Sequence, residues 1–131
     1  MKRYWDSSAL LEAFFDSRIE RLSKEQDQWN AAYTLAEMFS TLTGGRLGGQ
    51  FAPSDAAEIV RELTEAMNFV DLTEAEIQAA LAESEKHGVR GGRVHDWLHA
   101  RAAKKTGAEQ LLMDNFGDFA GLEDGFTIAA P

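Results

Sequence analysis

The stretch RVHDWLHARAAKKTGAEQLLMDNFGDF, residues 93–119, decides the fold. Residues 93–105 read as a helix that closes on Lys104 and Lys105, whose charges suit the negative end of the helix dipole. Residues 108–113 then read as a strand, and that strand runs out into Asp114, Asn115 and Asp118. Helix, turn, strand and acidic exit make one step of an alternating chain.

The alternation extends upstream. Residues 2–6 read as a strand, and 7–16 as a helix with Leu10, Leu11, Phe14 and Phe15 at helical spacing and Ser7 or Ser8 as its cap. Residues 29–33 read as a short strand or a turn, and 34–43 as a helix with Leu35, Met38, Phe39 and Leu42 on one face. GGRLGGQ breaks the pattern, and Pro53, Ser54 and Asp55 open a helix to about Ala66. A strand over 68–72 follows, then a helix over 74–86 announced by the capping-box pair Thr73 and Glu76. GVRGG is the turn before residue 93, and the last strand is expected at 126–129. Strands alternating with helices imply a parallel sheet covered on both faces. The expected class is therefore α/β, a three-layer α/β/α architecture with a central, mainly parallel sheet, in one domain over residues 1–131.

Composition narrows the function. Apolar residues at 44% and charged residues at 27% describe a soluble globular chain, with no apolar run of membrane-spanning length. The first residues carry no signal-peptide core, and cytoplasmic residence is expected. The absence of cysteine excludes disulfides, thiolate nucleophiles and thiolate metal sites. A formal charge of -9 argues against broad coating of nucleic acid, yet a local basic rim and a bound metal could still serve one phosphate. The acidic surface would also favour a basic partner.

The acids carry the chemistry. In parallel sheets ligands bind beyond the carboxyl ends of the strands. Asp6 and the segment Asp114–Asp118 fall at that edge, whereas Glu37 and Asp96 lie on helices that the rule alone does not place. Carboxylates gathered there would repel one another unless a hard divalent cation neutralised them. Asp6 and Asp96 are the best direct ligands, Asp118 or Asn115 could complete the site, and Glu37 could bind a second ion or hold a water. Arg90 and Arg93, flanking a glycine pair, are candidates for steering phosphate, as is Arg46 in GGRLGG, though each also suits a solvated loop. Trp97, next to Asp96, suits core packing or the border of a substrate site.

Rival readings exist. His95 and His99 in HDWLH are four apart around Asp96, like an HExxH zinc motif, but Asp is one methylene shorter than Glu. His87 lies across a glycine-rich turn, and no downstream third ligand has a clear context. A receiver-like phosphotransferase using Asp6 would want a paired Asp and a positioned Lys. The glycines at 44, 45, 48 and 49 lack the Gly-Lys-Ser/Thr of a phosphate loop.

Taken in order, WDSSALLEAFF (5–15), TLAEMFSTLTGG (34–45) and GVRGGRVHDWLHARAAKKTGAEQLLMDNFGDF (88–119) resemble the motifs of the PIN domain, the small nuclease fold of VapC-type toxins. The resemblance covers nearly the whole chain. It implies a PIN-like fold in which Asp6, Glu37 and Asp96 match the three main acids, Asp118 the acid before an aromatic, Asn115 an Asn or Asp position, and Ser8 the serine supporting the first Asp. Met113 departs from a common Thr or Ser, and Asp114 could supply a compensating oxygen. The resemblance further implies a Mg2+- or Mn2+-dependent endoribonuclease acting on RNA, homodimerisation, and inhibition by a cognate antitoxin. A catalytically degenerate partner-binding module and a zinc hydrolase using His95 and His99 remain the alternatives.

Overall fold

The computed structural model describes residues 1–44, 51–114 and 121–131. Strands and helices alternate as β1 (Arg3–Trp5), α1 (Ser7–Phe15), α2 (Ser17–Ser23), β2 (Gln28–Ala31), α3 (Ala32–Thr43), α4 (Pro53–Thr64), β3 (Asn68–Val70), α5 (Glu74–Ala82), α6 (Arg93–Thr106), β4 (Gln110–Leu112) and β5 (Thr127–Ala129). The five strands lie in the order β3-β2-β1-β4-β5, and every pairing is parallel. The three-layer α/β/α architecture expected from the alternation is present.

Side-chain alternation along the strands divides the core. Tyr4, Leu111 and Met113 join Trp97, Ala100 and Ala103 of α6 on one side of the sheet. Trp5 and Leu112 join Leu10, Met38, Val60 and Leu63 from α1, α3 and α4 on the other. The alanines of α6 let that helix lie close to the strands. Trp97 is 1% exposed and its Nε1 donates to the Ala80 carbonyl at 2.8 Å, so it ties α6 to α5 and does not border a substrate site. Met113 is also core, at 1% exposure, which explains an apolar side chain at that position.

Element ends shift by one to a few residues throughout, and three differences from the sequence reading change the course of the chain. The helix expected over 7–16 ends at Phe15, and a second helix, α2, starts at Ser17. Asp16 makes the break: its backbone is extended at φ -133°, ψ 113°, and its side chain accepts from the Arg18 N–H to cap α2. The helix expected over 74–86 stops at Ala82, and residues Glu85–His87 form a separate 3-10 turn closed by Gly88 at φ 67°. Residues 29–33 resolve into the end of β2 and the first turn of α3, which follows without a loop.

The capping box at α5 is complete: Thr73 Oγ1 accepts from Glu76 N–H and Glu76 accepts from Thr73 N–H. Thr73→Ala should therefore cost about 1 kcal/mol of folding stability. A urea titration that leaves the unfolding midpoint unchanged would remove that role.

Candidate functional site

The site grows from the end of β1. Asp6 is the first residue beyond the strand, and its backbone N–H continues the ladder by donating to Leu112 O at 3.1 Å. Its carboxylate Oδ1 caps α1 by accepting from Ala9 N–H at 2.9 Å. Ser8 Oγ donates to the same oxygen at 2.7 Å and accepts from Asp114 N–H at 3.0 Å. The serine thus stitches the exit of β4 to the exit of β1. Oδ2 of Asp6 has no hydrogen-bond partner among the described residues.

The neighbouring strand leads into α3, whose second turn carries Glu37. Glu37 Oε1 and His99 Nε2 stand 2.6 Å apart, and His99 Nδ1 stands 2.6 Å from the Tyr4 hydroxyl. Tyr4 is fully buried and His99 is 6% exposed, so the imidazole is clamped between β1 and α3 in a place shielded from water. Asp96 sits three residues before His99 on α6, the spacing that puts two side chains on one helical face.

The electrostatics tie these groups together. Burial alone would lower the His99 pKa, but the bond to Glu37 and the charges of Glu37, Asp6 and Asp96 outweigh it and hold the pKa above the ordinary imidazole value. Burial raises the Asp6 pKa, opposed by the Ala9 N–H, the charge of His99 and Ser8, and reinforced by Glu37. Burial likewise lifts the Tyr4 phenol far above its ordinary value, which keeps it neutral. The neighbouring carboxylates therefore favour the protonated form of His99.

The remaining sequence candidates are distributed as follows. Asp114 is exposed and contributes its backbone N–H to Ser8. Arg90 is exposed beside Ser84, Glu85 and Gly88, and Arg93 is half-buried in the first turn of α6. Arg46, Asn115 and Asp118 lie outside the described residues. The sequence reading missed Tyr4 and assigned His99 only to a zinc motif. The available signal was the three-residue offset of His99 from Asp96, which puts any partner of the acid within reach of the imidazole. Both His99 nitrogens are engaged, and the His95 ring is stacked on Tyr33, an arrangement unlike a zinc pair.

Among the described residues no group of three or more His, Asp and Glu side chains is gathered closely enough to hold a metal ion. The donor chemistry still fits a hard cation. Mg2+ keeps several waters and is commonly held by one or two carboxylates with substrate phosphates, and Asp6 offers an oxygen without a described partner.

No family model and no curated protein sequence matches the chain. Its fold is similar to that in the crystal structure of PAE2754 from Pyrobaculum aerophilum, with a TM-score of 0.71 and 13% identity over 97% of this chain and 89% of that one. At that identity the likeness establishes the fold alone.

Two outcomes follow from the charges. Asp6→Asn keeps the acceptor for Ala9 and Ser8 while removing a buried charge. With its folded pKa above the unfolded value, ionised Asp6 lowers stability, and the penalty vanishes below an unfolded pKa of about 3.9. Metal-free Asp6→Asn should melt at or above the wild-type temperature at neutral pH, with the gap closing on acidification; a lower melting temperature at neutral pH would refute the charge penalty. The raised His99 pKa has the matching consequence. Its stabilisation is complete below about pH 6.5 and is lost as pH rises through the folded pKa, so Glu37→Gln should flatten that slope in urea titrations.

Proposed function

We propose that this protein is a metal-dependent endoribonuclease with a PIN-like active site, the toxin of a toxin–antitoxin pair acting in the cytoplasm. The observation that carries the reading is the bond of Glu37 to the buried imidazole of His99, whose protonation the charges of Asp6 and Asp96 also favour. Separate stretches of sequence supply these acids, and only one oxygen of Asp6 is used in capping α1. Replacing a buried ion pair by apolar residues is often neutral or stabilising, so its presence points to use.

Asp6 and Asp96 would hold Mg2+ or Mn2+, with Glu37 and Asp118 as further carboxylates. When bound, the cation supplies a hydroxide-forming water at neutral pH and charge neutralisation at the phosphate. The chain's own contribution is orientation. Ser8 and the Ala9 N–H fix one oxygen of Asp6, leaving the other for a ligand. His99 fixes Glu37 in one rotamer, from which its second oxygen can align a water or receive its proton. Tyr4, kept neutral by burial, holds the far side of the imidazole. Arg90, Arg93 and Arg46 are the candidate cations for steering RNA phosphate, Arg46 lying outside the described residues. A homodimer and an antitoxin with an amphipathic segment and a basic side chain belong to the same reading.

A second reading is a partner-binding descendant of the same fold. It is favoured by the Glu37–His99 bond, which gives the acid a protein partner in the metal-free state. Calorimetry separates the two: the nuclease binds Mn2+ and loses that binding in Asp6→Asn, whereas the descendant binds it poorly throughout.

The deciding experiment incubates purified protein with total cellular RNA and Mg2+ or Mn2+. Discrete fragments are expected, abolished by EDTA and reduced at least a hundredfold in Asp6→Asn and Asp96→Asn, an order set by the ~10²–10³ loss on removing one charge-stabilising group. Equal cleavage by folded wild type and both variants would reject the site.

A further inference from the structure

Two rungs join α3 to α6. The inner rung is the Glu37–His99 bond at 2.6 Å. The outer rung is made by Tyr33 and His95, whose rings stack with centroids 6.1 Å apart and planes 17° apart. Tyr33 precedes Glu37 by four residues and His95 precedes His99 by four, so the rungs are separated by about one helical turn, ~5.4 Å.

Beside the outer rung lies a cavity of about 380 Å3. Leu72, Ile77, Leu98 and Ala102 make it largely apolar, and Tyr4 and His99 form the wall shared with the acids. That combination, an apolar recess of small-ligand size with few polar groups, is the usual form of a binding pocket. Tyr33 is 58% exposed although it is a large aromatic at the mouth of the recess, so a ring face is open to solvent. Among the described residues Asp71 is the sole carboxylate on the lining. Its Oδ1 accepts from Ala32 N–H at 3.2 Å, and its other oxygen has no partner among the described residues.

These features match one chemistry. An exposed aromatic face beside a charged site suits a nucleobase, since every base has a face to stack. A carboxylate only accepts hydrogen bonds, so it favours a base edge with two adjacent donors. Guanine, with adjacent ring and exocyclic N–H groups, presents a pair of donors to it. We propose that the cavity is the subsite for one unpaired guanine of the substrate, stacked on Tyr33 and read by Asp71. The one-turn offset between the rungs carries its phosphate toward Asp6, Glu37 and Asp96. This assignment rests on the nuclease reading for its connection to cleavage, but its binding can be measured without catalysis.

The test uses metal-free protein and the four nucleoside 5′-monophosphates, followed by NMR titration, together with sequencing of the RNA ends made in Mn2+. GMP should perturb Tyr33, Ile77 and Leu98 and bind tightest. Tyr33→Ala should weaken it about tenfold, a loss in the range for one aromatic–base stack. Tyr33→Trp should restore binding, and Asp71→Asn, which keeps the acceptor for Ala32, should level the four nucleotides. Cut sites should carry guanine at one fixed position, and among whatever cuts Tyr33→Ala still makes that preference should be lost. Asp6-dependent cleavage whose cut sites and GMP affinity ignore Tyr33→Ala would overturn the subsite and leave the nuclease reading standing. GMP binding that depends on Tyr33, in a protein without metal-dependent cleavage, would support the pocket and overturn the nuclease reading.

Discussion

The buried imidazole of His99, whose protonated form its neighbours favour, is the constraint on which the site depends. A buried charge is costly unless it is paired and fully hydrogen-bonded. Here Glu37 takes one ring nitrogen and Tyr4 the other, and Asp6 and Asp96 add their fields. The partners come from α3, β1, the β1–α1 junction and α6, so satisfying one side chain fixes four parts of the fold at the sheet's carboxyl edge. Removing Glu37 takes away the carboxylate bonded to the ring, and removing Tyr4 leaves the other ring nitrogen without its partner. The arrangement is consequently specific in geometry even though its net contribution to stability is small.

The sheet topology makes this convergence possible. With β1 in the centre of the order β3-β2-β1-β4-β5, chain exits on both sides of Asp6 are within reach. From β2 comes α3 with Glu37; from β4 comes Asp114, whose N–H meets Ser8. Parallel pairing places all these exits on one edge. An antiparallel neighbour would have sent one of them to the opposite end of the molecule. Loop-free passage from β2 into α3 matters equally, because it brings Tyr33 and Glu37 to the rim within the first two turns.

Much of this was legible in the sequence because it rests on local signals. The strand-helix alternation gave the layers, and capping residue types announced the start of α1, though Asp6 holds the cap where Ser7 or Ser8 was expected. Thr73 and Glu76 declared α5 in the same way. The break at Asp16 was hidden, since SSALLEAFFD followed by SRIERLS is helical in composition throughout, and only the backbone at Asp16 divides it. His99 was harder still. Its role is set by Tyr4 and Glu37, 95 and 62 residues away, and no spacing rule on one helix reports such contacts. The zinc reading arose because i, i+4 histidines look alike whether they converge on a metal or belong to separate rungs.

The separation of those rungs explains how one short helical face can serve two demands. His99 lies inward, where desolvation strengthens its interaction with the carboxylates, and His95 lies one turn outward, exposed and stacked on an aromatic ring. The same residue type thus acts as a fixed charge at one position and as a flat surface at the next. In a chain with a net charge of -9, long-range attraction cannot gather a polyanion. On the proposed reading, recognition of RNA would come from short-range contacts that gain strength without net positive charge, and ring stacking beside the shielded His99 would meet that requirement. The acidic surface then works against indiscriminate binding, leaving only ligands whose local contacts offset the repulsion.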